Sequence, residues 1–308
     1  PEVIMPPTEP TANQASTMRA YLLLTLTTTC WGMNAVLGRL AVGEISPMVL
    51  VCLRWLLVVI ILSLVSYRHL RRDWAVLKKY FGYMLAMGAF GFTGFNMLFY
   101  LAAHSTTAVN IGILQGSIPV FVLIGAFLVF RTRVSLMQSF GVIVTIIGVG
   151  IVASGGSFAR LATFEINHGD ALMLFACALY SGYTVALRYR PDISALSFLS
   201  IMAIAAFLTS IPFVFIEIGL EHFQPPTTKG WMIVVAVSLF PSLIAQISFI
   251  AGVGILGPGR AGIFVNLVPI FASIFAVTFL DEPFEFFQGA ALALVLFGIW
   301  LSEKGKSA

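Results

Sequence analysis

The feature that most constrains this chain is a succession of nearly uncharged apolar runs, each about twenty residues long, the length that crosses a bilayer as a helix. Of the 308 residues, 59% are hydrophobic and 10% charged, against roughly 25% charged in a soluble domain. A water-soluble fold of this length has too little interior to hide so much apolar surface. In hydrocarbon every backbone polar group needs an internal partner, which leaves helices or a closed barrel. A barrel would show short segments of alternating polarity, and these runs are continuous. The fold class is therefore an all-α integral membrane protein.

Ten spans are predicted, near 20–41, 46–67, 79–103, 107–130, 134–154, 169–188, 195–219, 230–253, 259–280 and 284–302. The eighth and ninth are divided at Gly254–Pro258, where Gly and Pro together favour a turn. Residues 1–18, rich in Pro and Thr, are expected to be a disordered tail without signal-peptide character. Pro1 is not expected to be a native start, and Met5 is the expected initiator. With the N-terminus placed in the cytoplasm, thirteen Lys and Arg residues fall inside and three outside, with Arg54 within the second span. The positive-inside rule then puts both termini in the cytoplasm. The net charge of +4 fits basic loops against an anionic leaflet, not nucleic-acid binding. Cys30, Cys52 and Cys177 lie in apolar runs without a CxxC pattern, so neither a disulfide framework nor a metal site is expected, and no cofactor is.

The chain repeats itself. Pro119, Val120 and Phe121 correspond to Pro269, Ile270 and Phe271, Gln138 to Gln288 and Gly148 to Gly298, all at an offset of 150, and Trp31 and Arg39 correspond to Tyr180 and Arg188 at 149. The halves are 19–155 and 169–308, together one membrane domain. Five spans per half make the second copy enter the membrane from the opposite side, as an inverted repeat, the arrangement from which alternating access arises.

Ten spans in two halves, with an alanine leading into Pro-Val/Ile-Phe between Ala108 and Phe121 and again between Ala261 and Phe271, resemble the drug/metabolite transporter superfamily of EamA type. Within it the likeness is to bacterial aromatic amino-acid exporters. The resemblance implies a cavity between the halves, lined by spans 1, 3, 4, 6, 8 and 9, with spans 5 and 10 peripheral. Asp281 and Glu282 end span nine where that family often has an acid. Arg131 and Thr132 stand at the matching end of span four and depart from it.

The spacing of polar and aromatic residues reaches the same region. Residues i, i+4 and i+7 share a helix face. Trp31 and Asn34, then Phe92, Asn96 and Phe99, then Tyr180 and Tyr183, then Gln246 and Phe249 form such faces, and the offset maps them onto one another. A buried amide in lipid is costly unless paired, so these faces are expected to point inward as a solute site, with Gln115 and Asn266 beside them. Helix–helix hydrogen bonding is the competing role for each residue taken singly. Pro119 and Pro269 are read as hinges, and Gly91 and Gly94 as packing positions. Tyr100 is read as an interface anchor or a gate, and Arg54 as a structural anchor paired with backbone carbonyls or Asp170.

These features predict a secondary transporter in a bacterial inner membrane that exports aromatic or neutral amino acids, functional as a monomer among lipids. With no carboxylate at mid-span, transport is expected to have weak or no ion coupling. An organic-cation exporter or a small-solute channel are the alternatives. An enzyme is not expected, since no HExxH and no buried aspartate pair occurs.

Overall fold

Long apolar stretches free of Gly/Pro pairs give long helices, and the computed structural model describes residues 14–157, 159–160, 163 and 166–305. Residues 1–13 of the expected tail, and Lys306 of the inside charges, lie outside the described residues. Among the described residues ten helices are long and apolar enough to cross a membrane. We number them α1 (Gln14–Leu40), α2 (Pro47–Lys79), α3 (Phe81–Ala102), α4 (Ala108–Phe130), α5 (Leu136–Ala153), α6 (His168–Tyr189), α7 (Ala195–Gly219), α8 (Thr228–Leu256), α9 (Arg260–Leu280) and α10 (Phe286–Lys304).

Two boundaries differ from the sequence expectation by more than three residues. Helix α1 takes in Gln14–Met18, which the composition places in the tail. Helix α2 runs on from position 67 to Lys79. No Gly or Pro interrupts residues 67–79, so hydrogen bonding continues past the lipid, and α2 is longer than the roughly 20 residues a bilayer requires. Asp73 ties this extension to α7 by accepting from the Ser194 amide at 2.9 Å. The division of α8 from α9 rests on Gly257, whose φ of +81° only glycine adopts without strain.

The packing is two-fold. Helix α5 packs on α10, α2 on α7, α1 on α8 and α9, and α6 on α3 and α4. Exchanging the halves turns α1·α8 into α6·α3 and α1·α9 into α6·α4, and returns the α5·α10 and α2·α7 pairs to themselves. Local geometry repeats as well. Helices α3 and α8 each carry a π-helical segment, at Ala89–Gly94 and Ser238–Ile244. Arg131 and Asp281 cap α4 and α9 in left-handed conformation, at φ 52° and 51°. Ser135 with Gln138, and Glu285 with Gln288, form capping boxes at the starts of α5 and α10. Five helices per half and short connections make the repeat inverted.

The outer pair α5·α10 is the tightest seam. A Cβ on Gly298 would lie 2.5 Å from the Gly141 carbonyl oxygen, an approach that only small residues permit. Glycines make the same kind of contact on α3. A Cβ on Gly91 would lie 2.4 Å from the Tyr183 ring, and one on Gly94 would lie 3.0 Å from Leu179.

Candidate solute cavity

Helices α4 and α9 are each broken near their midpoints, and the breaks make room for a cavity. In α4 the helix stops at Gln115 and restarts at Ile118, with Pro119 in its first turn. In α9 it stops at Val265 and restarts at Val268, with Pro269 in its first turn. Proline has no amide hydrogen, so Pro119 and Pro269 cannot donate back to Gln115 and Val265, and each helix loses one bond across its break. The expected hinge prolines therefore stand at discontinuities, not at bends in continuous helices. By contrast Pro212, which has no counterpart in the repeat, sits inside the unbroken α7.

The cavity at this level is bounded by Trp31 and Asn34 of α1, Phe92 and Asn96 of α3, Gln115 of α4, Tyr180 of α6, Gln246 of α8 and Asn266 of α9. Gly91, Pro119 and Pro269 also touch it. Three residues expected with them lie elsewhere. Phe99 is fully buried and packs edge-on against Tyr100. Tyr183 is turned against Gly91 and Phe92. Phe249 lies behind the cavity wall, 5.3 Å from the Trp31 ring. In each case an aromatic on the correct face sits one turn too far along it and fills a helix–helix gap. Gly94 likewise packs on α6 and does not reach the cavity.

Three contributors come from helices outside the predicted lining. Arg54 and Trp55 project from α2, and Ile299 of α10 closes a corner. Arg54 is 4% exposed. Its Nε donates to Ser242 Oγ at 2.5 Å, and its Nη1 donates to Asn96 Oδ1 and the Tyr100 hydroxyl at 2.6 Å each, reaching Asn34 Oδ1 at 3.5 Å. Tyr100 in turn donates to Asn34 Oδ1 at 3.1 Å. Arg54 is thus not paired with Asp170, which accepts from Thr106 and from Asn110. Tyr100 is not an interface anchor but a buried member of this network. The signal in the sequence was the charge itself, since an arginine deep in a span marks a functional position.

The remaining wall is polar without being internally satisfied. Trp31 donates its indole N–H to the Pro241 carbonyl at 3.2 Å, an acceptor in the π segment of α8. The Gln246 and Asn266 side chains have no hydrogen-bond partner among the described residues, although both face the cavity. Both amides are half-buried, which leaves their polar atoms free to bond water or a guest.

The two ends of the cavity are packed unequally. The face away from both termini, here the distal face, is closed by α4 and α9. Every residue from Ala108 to Leu114 is buried, and a Cβ on Gly112 would lie 2.4 Å from Ala272 Cβ. Glu282 accepts from the Ala108 and Val109 amides at 2.9 and 3.0 Å, and Arg39 lies 3.7 Å from the same carboxylate. On the face carrying the termini the corresponding positions are loose. Gly262, the repeat partner of Gly112, is exposed, and a Cβ added there would meet no described atom within 4 Å. Arg188, the partner of Arg39, lies 4.4 Å over the Phe130 ring instead of on an acid.

Two copies of one fold unit, folded about a mid-membrane cavity, match the EamA-like transporter family over residues 18–154 and again over 167–303. The chain belongs to the EamA-like transporter family. It is similar to the uncharacterized transporter YetK of Bacillus subtilis (strain 168), 26% identical over 92% of this chain and 87% of that one. It is also similar to an uncharacterized transporter of Archaeoglobus fulgidus, 24% identical over 92% of this chain and 98% of that one. A solved crystal structure shares the fold with a TM-score of 0.61 at 18% identity, covering 94% of this chain and 97% of that one. The chain is therefore a multi-pass membrane protein of a transporter family.

Proposed function

We propose that this protein is a secondary carrier that exports amino acids, aromatic or neutral ones foremost, from the cytoplasm of a bacterial cell by alternating access. The observation that carries the reading is the asymmetry between pseudo-symmetric halves. Gly112 is clamped against Ala272 while Gly262 stands open. Exchanging the halves' conformations would seal the other face around the same cavity. Aromatic faces of Trp31 and Tyr180, beside the unpaired amides of Gln246 and Asn266, suit a small solute with an apolar side chain and polar ends. The excess of Lys and Arg on the face carrying the termini supports a cytoplasmic placement of that face. The open side is then the side from which an exporter loads.

A channel fits less well, because the distal face is packed shut by side chains and not by a single constriction. An organic-cation exporter fits less well, because among the described residues no carboxylate lines the cavity and one arginine does. The lack of an acid at its centre also argues against proton coupling through the solute site. The test is counterflow in proteoliposomes loaded with unlabelled L-phenylalanine, L-tryptophan, leucine, glucose or tetraphenylphosphonium. Amino-acid-loaded vesicles should accumulate labelled phenylalanine without an imposed proton gradient. Accumulation driven only by the cation, or only under a proton gradient, rejects the reading.

A further inference from the structure

Among the described residues of the spans, Arg54 is the cation that faces the cavity, and no aspartate or glutamate lines that cavity. All four groups that accept from it are neutral: Ser242, Asn96, Tyr100 and Asn34. Its remaining nitrogen, Nη2, donates to nothing among the described residues. The guanidinium carbon lies 5.3 Å from the Trp55 ring centroid and 5.9 Å from that of Tyr100. Trp55 is 2% exposed and lines the same cavity, yet its indole N–H is buried without an acceptor among the described residues. Buried indole N–H groups ordinarily find a partner, and a buried charge without a counter-charge is strongly disfavoured.

A strut joining α1, α2, α3 and α8 would account for the bonds Arg54 makes. It leaves the missing negative charge and the two unused donors unexplained. The repeat adds an independent argument. The offset that maps the halves places Ala203 or Ile204 of α7 opposite Arg54, so the second half folds around the same architecture with an apolar residue there. A half of this architecture does not by itself call for a cation at this position.

We propose that Arg54 and Trp55 form the anchor for a carboxylate group of the transported solute, which supplies the charge the cavity lacks. This rests on the carrier reading above and narrows it: the solute bears a carboxylate, and a solute carrying only a positive charge is repelled. The carboxylate sits toward α2, where Nη2 and the indole N–H are unpaired. The first residues of the restarted helices, Ile118 and Val268, also line the cavity, and helix N-termini favour negative charge. The apolar part of the solute then faces Trp31, Phe95 and Tyr180.

The test compares three probes of one shape on the purified full-length protein: 3-phenylpropionate, L-phenylalanine and L-phenylalaninamide. Ligand-induced thermal stabilisation reads binding separately from transport. The two carboxylates should half-saturate the wild-type protein at concentrations roughly tenfold or more below the amide, the worth of one charge-assisted hydrogen bond. Arg54→Gln should abolish that preference, and Arg54→Lys should retain part of it. Should Arg54→Gln fail to fold, the wild-type comparison still decides: without a carboxylate preference there, whatever the transport result, the anchor is overturned. A carboxylate preference in a protein that shows no phenylalanine counterflow would retire amino-acid export and leave the anchor standing. Counterflow without the preference would do the reverse.

Discussion

Arg39 and Glu282 face each other at 3.7 Å across the distal mouth, joining α1 to the second residue after α9, while Glu282 also caps the first turn of α4. One carboxylate thus holds three helices together at the closed face. Its counterpart at the open face is Thr132, an uncharged side chain whose hydroxyl is buried without a partner among the described residues. The repeat diverged at this position, so the acid that bonds three helices at the distal face has no counterpart at the other.

Glu282→Gln removes both the ion pair and the anionic cap, so the distal seal should loosen. A cysteine placed at Ile113, in the buried first segment of α4, should label with an impermeant maleimide several-fold faster in that variant. The background for this measurement replaces Cys30, Cys52 and Cys177, all free thiols. Unchanged labelling would show that apolar packing alone closes the face.

Thr132→Glu installs the missing acid opposite Arg188. The guanidinium that now lies 4.4 Å over the Phe130 ring should move to the new carboxylate and favour closure of the face carrying the termini. Labelling of a Gly262→Cys reporter should fall, and transport should slow as the carrier dwells in the closed form. A faster rate would contradict this assignment.

Gly112→Ala and Gly262→Ala should differ sharply in stability although they are repeat partners. The first places a methyl 2.4 Å from Ala272 Cβ, and overpacking of this kind costs about 1–3 kcal/mol. The second meets open space in this conformation and should leave the melting temperature unchanged. If the halves exchange shapes, Gly262→Ala should nonetheless reduce turnover, because the opposite state would pack it as Gly112 is packed here.

Gln246→Ala and Trp31→Ala should both lower transport, with different side effects. Gln246 bonds nothing among the described residues, so its loss should raise KM with little change in stability or expression. Trp31 donates to the Pro241 carbonyl and packs on Phe249, so its truncation should cost stability as well, by less than the roughly 3–5 kcal/mol of a fully buried aromatic because its ring is half-exposed. Wild-type transport by both variants would remove them from the solute site.

At the distal surface, Glu44 accepts from the Thr227 hydroxyl and from Lys229, stapling the α1–α2 turn to the start of α8. Hydrogen bonds from Thr227 and then Lys229 hold its carboxyl below the usual glutamate range. A depressed folded-state value means the staple stabilises above the unfolded value and is lost as pH falls through that window. Glu44→Gln should therefore flatten the acid side of the stability profile while leaving transport near neutral pH unchanged. Identical acid profiles would show the staple contributes nothing.

Much of the architecture was legible in the order of residues. The ten spans, their division into halves and the offset between them follow from apolar run length and from matched pairs such as Pro119 with Pro269. The faces of Trp31, Asn96 and Gln246 were legible because helical periodicity fixes which residues share a side. Phe99, Tyr183 and Phe249 share those sides and still miss the cavity, because periodicity gives direction around a helix and not depth along it. The extension of α2 to Lys79 was hidden because a polar stretch after an apolar run reads equally as loop or as helix leaving the bilayer.

By itself the sequence determined that this chain must live in a membrane as an inverted pair of five-helix units, since twenty-residue apolar runs admit no other hydrogen-bonded solution. Only the tertiary structure decided which face is shut and what Arg54 touches. Those depend on contacts between helices far apart in the chain, such as Arg54 with Ser242 and Gly112 with Ala272. No local periodicity encodes such contacts, because each arises from the packing of one half against the other.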